Sequence, residues 1–370
     1  MPFCEVKCAY CHFAIDPRRP GADRERRYLE ALLAEMEAAA NPPASADTLY
    51  LGGGTPTVMS TASLARILDT ARRRYGLPDG AEATVEANPA DLAADGYRAL
   101  REAGLNRLSL GAQSFDEGVL REMGRPHGAA EIPHAVGAAR EAGFDNLSLD
   151  LILGWPGETP ARWRRTLDAV VALAPEHVSL YVLEVEGRTA LSHRASRGLV
   201  TLPEDDLVAD LYRETVDALG AAGIERYEIS NFARPGRESR HNRKYWSDAP
   251  FLGFGMSAHS YRDGRRSWNA DTFGAYCAAI EKGGGLAARA GERILTAREH
   301  RTEALFTGLR RREGVDRGDF RSRYGIDPLD EHGPALADAF AAGLLVADEG
   351  RLRLTERGVL LSNEVFRALV

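Results

Sequence analysis

Cys4-Glu5-Val6-Lys7-Cys8-Ala9-Tyr10-Cys11 holds three of the four cysteines of this 370-residue chain, spaced C-x3-C-x2-C. Clustered thiolates are soft ligands that suit an iron–sulfur cluster or zinc. A four-iron cluster held by three cysteines leaves one iron without a protein ligand, and a substrate or cofactor can bind there. The alternative is a structural zinc site with His12 as fourth ligand. Zinc motifs usually come as two separated ligand pairs, whereas Cys277 stands alone, so the spacing favours a cluster.

Composition limits the class of protein. The net charge of −7 argues against a general nucleic-acid binder, which would normally be basic. The hydrophobic fraction of 44% is ample for a sizeable core. No apolar stretch approaches the length of a membrane span, and residues 1–20 lack the apolar run of a signal peptide. With few cysteines and no paired framework, these features predict a cytoplasmic protein.

Helical and strand patterns alternate from residue 23 to about 230. The periodicity predicts helices over 24–40, 60–75, 91–103, 130–142, 160–173 and 204–222. It predicts strands at Thr48–Leu51, Ala83–Ala87, Arg107–Leu110, Leu147–Leu153, Val178–Leu183 and Arg226–Ser230. Such alternation indicates an α/β fold of parallel strands, with function gathered at their C-terminal ends.

The rest of the chain has a different character. Residues 231–289 are rich in glycine, aromatics and charge, and we expect an irregular connecting region. Residues 290–370 predict a helix at Ala297–Arg310, a second helical stretch, a hairpin turning at Glu349-Gly350 and a helix near 358–369. This order indicates a small winged-helix-like α+β domain. Without a basic recognition face, a docking or lid role is favoured over DNA binding.

Polar and glycine residues follow the predicted strands. Gly52-Gly53-Gly54-Thr55 comes directly after the first strand, and glycines let the backbone approach a ligand closely. Glu86, Gln113 and Asp150 lie at the ends of later strands. For any one of them an internal ion pair or helix cap is the simpler interpretation, since a buried carboxylate must be paired. Three in succession favour a shared ligand.

The cysteine spacing with the glycine run resembles the radical S-adenosylmethionine (SAM) signature, in which SAM chelates the open iron of a 4Fe–4S cluster. The segments LGGGTPT, RLSLGAQSF, GRPH, SLDLILGWPG, YEISNFA, HNRKYW and GFGMSAHSY occur in order along the chain. Together they resemble the HemW-type haem chaperones, which are relatives of oxygen-independent coproporphyrinogen III dehydrogenase of the HemN type. The resemblance implies a partial (β/α)6 barrel over residues 1–230, with the connecting region and the C-terminal domain following it.

The resemblance also implies roles for individual residues. Cys4, Cys8 and Cys11 would ligate the cluster. The positions matching SAM contacts are Tyr10, Gly53, Gly54, Thr55, Glu86, Gln113, Arg125 and Asp150. His259 falls at another SAM-proximal position. Cys277 has no motif around it, and we expect a buried thiol.

Two features distinguish the two relatives. The dehydrogenase has a further cysteine two residues beyond the third cluster ligand, where this chain has Phe13. The chaperones have H-N-x-x-Y-W, present here as His241 to Trp246. A neutral imidazole is a good axial ligand for haem iron, and aromatic rings can stack on a porphyrin. By residue type alone His241 would be a structural histidine in an aromatic corner, but the motif favours haem ligation.

The implied function is a chaperone that binds haem and delivers it to haem-requiring respiratory proteins. Oxidative decarboxylation of coproporphyrinogen III is the alternative, so it stays open whether the chain is an enzyme. A zinc-bearing interaction protein is the non-catalytic alternative. No nucleic-acid partner is expected, while a homodimer and a peripheral membrane association are compatible with the resemblance.

The start of the sequence departs from the family pattern. Relatives begin with a strand of the Y-x-H-I-P-F-C kind, whereas this sequence opens at Met1-Pro2-Phe3-Cys4. We therefore expect the native start to lie upstream, with the first barrel strand and its SAM-contacting tyrosine missing from this sequence.

Overall fold

A computed structural model describes residues 1–39, 45–185, 187, 189–348 and 350–369. Strand and helix alternate through its first half. The elements are α1 (Ala22–Ala38), β1 (Thr48–Leu51), α2 (Thr61–Tyr75), β2 (Glu82–Ala87), α3 (Ala94–Glu102), β3 (Arg107–Gln113), α4 (Glu117–Met123), α5 (Glu131–Glu141), β4 (Leu147–Leu153), α6 (Pro160–Leu173), β5 (His177–Val182), α7 (Ala190–Ser196) and α8 (Asp205–Ala221). The six predicted helices and the first five predicted strands are confirmed to within a few residues, although residue 40 lies outside the described residues.

Strands β1 to β5 are neighbours in chain order, and every pair among them is parallel. One face is apolar, with Val85, Leu108, Leu110 and Leu149 fully buried in the main core. The helices that connect the strands supply the rest of that core, as parallel sheets require. The predicted α/β class is confirmed.

The sixth predicted strand, Arg226–Ser230, is wrong. The chain instead forms β6 (Glu225–Arg226) and β7 (Asn231–Ala233), with β7 antiparallel to both β5 and β6. Only four residues separate these strands, and a parallel crossover needs a dozen or more. The described sheet therefore has five parallel strands closed at one edge by a short hairpin, in the order β1-β2-β3-β4-β5-β7-β6.

The connecting region is more regular than predicted. It contains α9 (Arg240–Tyr245), β8 (His259–Arg262), β9 (Arg265–Asn269), α10 (Phe273–Gly283) and β10 (Arg289–Ile294), whose strands form an antiparallel sheet in the order β10-β9-β8. The expectation of an irregular segment is wrong here. Glu35 of α1 fixes the region by accepting hydrogen bonds from Tyr276 (2.6 Å), Asn269 (2.6 Å) and the Gly255 amide (2.8 Å).

The C-terminal part has the predicted winged-helix-like arrangement. Its elements are α11 (Ala297–Leu309), β11 (Val315–Asp316), α12 (Arg317–Tyr324), α13 (Pro328–Ala341), β12 (Leu345–Asp348), β13 (Arg351–Leu354), α14 (Glu356–Leu360) and α15 (Ser362–Leu369). The three strands pair antiparallel in the order β11-β13-β12. Glu349 of the predicted hairpin turn lies outside the described residues. Asp248 joins this part to β8, because it accepts hydrogen bonds from Tyr261, His300 and Tyr324.

Within the described ranges, no helix is both long and apolar enough to cross a lipid bilayer.

Candidate functional site

The cysteine loop is fixed at both ends. Phe3 is fully buried against Tyr28 and Phe273, and the Cys4 amide donates to the carbonyl of Asp16 at 3.2 Å. In mid-loop, the amide of Ala9 donates to the Met123 carbonyl (2.8 Å), and the Ala9 carbonyl accepts from the Leu191 amide (2.8 Å). The loop is therefore held between the end of α4 and the start of α7.

The three sulfurs of this loop are partly accessible. Cys4, Cys8 and Cys11 are each half-buried, and none of them forms a disulfide. Burial raises the pKa of the Cys4 and Cys11 thiols, so both thiols need a positive partner to ionise. Each sulfur of a cubane site binds a different iron, so the three need not converge on one point. The donor set therefore fits a cluster with one open iron.

The zinc alternative finds less support. Among the residues that the structure describes, no group of three or more His, Cys, Asp and Glu side chains is arranged to hold a single metal ion. His12, the proposed fourth ligand, is exposed and packs edge-on against the ring of Phe13, with centroids 5.1 Å apart. A tetrahedral ion needs four converging ligands, which this arrangement does not provide.

Arg125 lies beside the cysteine loop. Its Nη1 donates to Sγ of Cys8 at 3.5 Å and to the Tyr10 hydroxyl at 3.4 Å. Its Nη2 donates to the Gly111 carbonyl (2.7 Å) and to the side-chain oxygen of Asn88. These contacts place a positive charge next to the sulfurs, where it partly offsets the rise in the pKa of Cys4 and Cys11 that burial causes.

The glycine turn after β1 packs directly on the cysteine loop. The amides of Gly54 and Thr55 donate to the carbonyls of Met1 and Phe3, both at 2.7 Å. A Cβ on Gly54 would lie 2.5 Å from the Phe3 carbonyl oxygen, and Gly53 has a φ of +108°. Only glycine satisfies both conditions, so the close approach of the two segments depends on these residues.

Thr55 continues this junction. Its hydroxyl lies 3.5 Å from Sγ of Cys4 and accepts a hydrogen bond from the side-chain amide of Asn88 at 3.2 Å. Asn88 thus links the turn to Arg125, and sequence reasoning missed it. Its place two residues after Glu86, at the end of β2, was the available signal.

The carboxylates of Glu86 and Asp150 lie on the polar face of the sheet. Glu86 accepts from the Tyr50 hydroxyl at 2.7 Å and from the Gly53 amide at 3.1 Å. Burial, with the nearby Asp150 charge adding to it, raises the pKa of Glu86 to about 7. Burial also raises the pKa of Asp150, which accepts from Ser109 at 3.0 Å and Ser148 at 3.2 Å. Neither carboxylate has an ion-pair partner within the described ranges.

Gln113 has an unusual backbone. It ends β3 with a φ of +64°, where the register with β4 shifts between Leu110 and Gln113. A Cβ on Gly111 would lie 2.9 Å from the Gln113 side-chain nitrogen and 3.0 Å from Nη2 of Arg125. Left-handed backbone at a non-glycine residue is costly and is concentrated at functional sites.

The face of the sheet opposite the core is polar over most of its depth, and apolar Ile152 of β4 is an exception. Alternation along the strands places a row of side chains there: Thr48, Tyr50, Glu82, Thr84, Glu86, Arg107, Ser109, Ser148, Asp150, His177, Ser179 and Tyr181. A sheet covered on both faces would have apolar residues at these positions. The polar face is therefore suited to a polar or charged ligand, and it includes residues that sequence reasoning missed.

His241 lies against this face from the side of β1. Its Nδ1 is hydrogen bonded to the Thr48 hydroxyl and its Nε2 to the Tyr245 hydroxyl, both at 2.9 Å. The imidazole stacks on Tyr50, with centroids 5.2 Å apart. Burial, followed by the Lys244 charge, lowers the pKa of His241 to about 4. His241 is therefore a neutral imidazole at physiological pH, one aromatic ring away from Glu86.

Two further cysteine and histidine predictions have different outcomes. Cys277 is fully buried in α10, as predicted, and burial raises its pKa to about 11. His259 is exposed on β8 and stacks on Trp268, with centroids 6.1 Å apart. It is not among the side chains that line the polar face.

The chain is similar to known proteins along its length. Residues 1–170 match the Radical SAM superfamily, and residues 295–361 match the HemN C-terminal domain. The heme chaperone HemW of Bacillus subtilis (strain 168) is 37% identical, with 100% of this chain and 97% of that protein covered. The HemW proteins of Mycobacterium tuberculosis (strain H37Rv) and Escherichia coli (strain K12) are 38% and 32% identical, and cover 100% and 99% of this chain and 93% and 95% of those proteins.

A solved structure shares the fold. Coproporphyrinogen III oxidase (HemN) from Escherichia coli, described as a radical SAM enzyme, matches with a TM-score of 0.84 and 25% identity. The match covers 100% of this chain and 88% of that one. The predicted partial barrel with a winged-helix-like C-terminal domain is confirmed by this likeness and by the two domain matches. With full-length relatives above 30% identity, the chain belongs to the HemW family of the radical SAM superfamily.

Proposed function

We propose that this protein is a haem chaperone that binds haem through His241 and delivers it to haem-requiring respiratory proteins. The observation that carries the proposal is the position of the HNRKYW histidine. His241 is neutral, stacked on Tyr50 and next to the polar face of the sheet. The full-length similarity to proteins named heme chaperone HemW supports the same function. We infer a cytoplasmic location from the composition.

A 4Fe–4S cluster and SAM belong to this proposal. Cys4, Cys8 and Cys11 would hold the cluster, and the residues that would contact SAM are Tyr10, Gly53, Gly54, Thr55, Glu86, Gln113, Arg125 and Asp150. When bound, the cluster and SAM supply one-electron chemistry. The chain's own contribution is to fix the sulfurs between α4 and α7, to place the Arg125 charge beside Cys8, and to offer backbone groups of the glycine turn.

Access to the ligating nitrogen of His241 involves Tyr245. Nε2 is covered by the Tyr245 hydroxyl, but that side chain is 38% exposed and can rotate into solvent. Nδ1 stays bonded to Thr48, which fixes the ring orientation. Iron would then replace the Tyr245 hydroxyl at Nε2.

The test is a haem titration of the anaerobically reconstituted protein, followed by visible spectroscopy. Wild type should bind haem saturably, and His241→Ala should weaken binding by about tenfold or more while its cluster remains intact. His259→Ala, which removes an exposed histidine stacked on Trp268, is the matched control and should bind haem as wild type does. Equal affinities of wild type and His241→Ala would remove His241 as the ligand.

Radical decarboxylation is the second candidate, favoured by the TM-score of 0.84 with the coproporphyrinogen III oxidase. Against it, Phe13 stands where the dehydrogenase has its extra cysteine, and it is 56% exposed. Reduced, reconstituted protein should therefore give no vinyl product from coproporphyrinogen III and SAM. Clear product formation would replace the chaperone proposal with the enzyme.

We also propose the division into residues 1–230, 231–289 and 290–370. Limited proteolysis tests it: because β7 pairs with β5 in the barrel sheet and β10 pairs with β9, the first cuts should fall just beyond these strands, at the turn around Gly236 and near residue 295. The contacts of Glu35 with the connecting region predict that the first two parts stay associated after cleavage.

A further inference from the structure

Arg107 is a buried cation that the proposed function does not use. It begins β3 and is 1% exposed. In the part of the chain that the structure describes, it forms no ion pair, and its Nε has no hydrogen-bond partner. Burying a charged group without a partner costs several kcal/mol, so such arginines are rare unless a ligand supplies the counter-charge.

The nearby carboxylates do not contact the Arg107 guanidinium. Asp150 accepts from the hydroxyls of Ser109 and Ser148, and Glu86 accepts from Tyr50 and Gly53. The field of Arg107 still extends over this face, since after burial it is a cause of the low pKa of His177. The Arg107 charge also acts on Asp150, where it partly offsets the rise in pKa that burial causes, but among the described residues the guanidinium forms no ion pair.

Thr84 adds a second donor at the same place. It is paired with Arg107 in the parallel register of β2 and β3, so both side chains point to the polar face. Thr84 is fully buried, and its Oγ1 also lacks a hydrogen-bond partner. Two neighbouring strands therefore present two unsatisfied buried donors side by side.

The pair lies deep in the sheet. Arg107 is four residues before Gly111, whose carbonyl binds Arg125 beside the cysteine loop. At ~3.3 Å per residue, this spacing corresponds to about 13 Å along β3. A group that reaches Arg107 must therefore belong to a ligand that extends well below the cysteine loop, towards the level of His241.

We propose that Arg107 and Thr84 form a carboxylate-binding subsite on the polar face of the sheet. The guanidinium offers two parallel N–H donors to a carboxylate, and the threonine hydroxyl offers a third. This assignment rests on the proposed function: the carboxylate is a haem propionate, and the haem iron lies on the side of His241. The carboxylate of SAM has the same chemistry and is the other source.

The test compares wild type, Arg107→Met and Arg72→Met as full-length, anaerobically reconstituted proteins. Arg72 is the control, because its Nε is also buried and unpartnered, while its Nη1 pairs with Asp69 at 3.7 Å and it lies on helix α2, outside the polar face. Haemin and haemin dimethyl ester are titrated separately, and SAM binding is measured by equilibrium dialysis. Methionine keeps an unbranched chain as far as the position of Nε, without the guanidinium or its charge.

We expect Arg107→Met to bind haemin about 10–100-fold more weakly than wild type, as loss of a charge-assisted pair predicts. The control should bind as wild type does, and the dimethyl ester should bind wild type and Arg107→Met equally weakly. If Arg107→Met instead weakens SAM alone, the subsite holds and its carboxylate is that of SAM. If haemin and SAM both bind to Arg107→Met as tightly as they bind to wild type, the proposed subsite is ruled out.

Thermal unfolding without ligand gives an independent readout. Arg107→Met should unfold at the same temperature as wild type or higher, because it removes an unpaired buried charge. A loss of stability larger than that of Arg72→Met would show a structural role and overturn the proposal. If wild type fails to bind haemin at all, the chaperone function falls while the SAM measurement still tests Arg107.

Discussion

Nη1 of Arg125 lies 3.5 Å from Sγ of Cys8, so a guanidinium just after α4 reaches a cysteine 117 residues earlier in the chain. Arg125 thereby joins the barrel to the loop that would hold the cluster. It also donates hydrogen bonds to the side chains of Tyr10 and Asn88. His241 contacts none of these groups directly, since its partners are Thr48, Tyr50 and Tyr245. Cluster assembly and haem binding should therefore be separable by substitution.

Cys8→Ala should abolish cluster assembly but leave haem binding measurable. The substitution removes one of the three proposed iron ligands, whereas the contacts of His241 lie on β1 and α9. Iron and sulfide analysis after anaerobic reconstitution, with a parallel haem titration, measures both. Cys277→Ala removes a buried thiol of α10 and should keep the full cluster. Joint loss of haem and cluster in Cys8→Ala would show that haem binding depends on the loop.

Tyr245→Phe should strengthen haem binding by about 2–10-fold. The Tyr245 hydroxyl occupies Nε2 of His241, and one such hydrogen bond contributes ~0.5–1.5 kcal/mol. Removing it frees the nitrogen while the aromatic ring stays. Tyr227→Phe is the control, because its hydroxyl is bonded to His177 in the same manner, at 2.9 Å. Weaker haem binding by Tyr245→Phe would mean that the hydroxyl itself contacts the ligand.

Glu86 should make the protein less stable as the pH rises from about 4.5 to 7. Its pKa is about 7 in the folded chain and has its ordinary value of 4.5 when the chain unfolds, so the folded state holds the proton more tightly. Stability is therefore lost on ionisation, by roughly 1–3 kcal/mol above pH 7. Glu86→Gln should match wild type near pH 5 and unfold at a higher temperature near pH 8. Parallel stability curves between pH 5 and 8 would contradict the shift.

Gln113→Gly should be as stable as wild type, or up to about 1 kcal/mol more stable, because glycine adopts a φ of +64° without strain. If the side chain contacts SAM, the same substitution should weaken SAM binding by about 3–10-fold. Gln113→Ala separates the two effects, since it loses the side chain but keeps the strained backbone. It should show the same loss of affinity without the gain in stability. Equal SAM affinity for all three proteins would remove Gln113 from the site.

The parallel strands could be predicted because each is bounded by an amphipathic helix and a glycine. The same pattern misled at Arg226–Ser230, where a β-branched run is too close to its neighbour for a crossover. Strands β9 and β10 escaped prediction because none of their residues is buried and charged residues are spread through them, so no apolar alternation marks them. Pairing there depends on backbone hydrogen bonds, because β9 turns directly back onto β8 and β10 returns to β9 after helix α10.

The site was predictable where a motif marked it and not elsewhere. Cysteines, glycines and strand-end carboxylates are conspicuous in a sequence, whereas Asn88, Thr84 and Arg107 are common residue types. A signal for Thr84 and Arg107 did exist, because polar and apolar residues alternate over 82–87 and over 107–110. Strands of a fully covered parallel sheet seldom alternate in this way, so the pattern predicts one wet face.

Helix α9 depends on residues far outside its own motif. Glu82 accepts the backbone amides of Arg240 and His241, both at 2.9 Å, while Asp47 pairs with Lys244 at 2.8 Å. The HNRKYW segment therefore forms one structural unit with residues at the start of the first two strands. Grafted alone into another barrel, the hexapeptide would lose the groups that orient its imidazole. A search for proteins with the same chemistry should therefore require the D-T-L-Y segment and the strand glutamate together with the histidine motif.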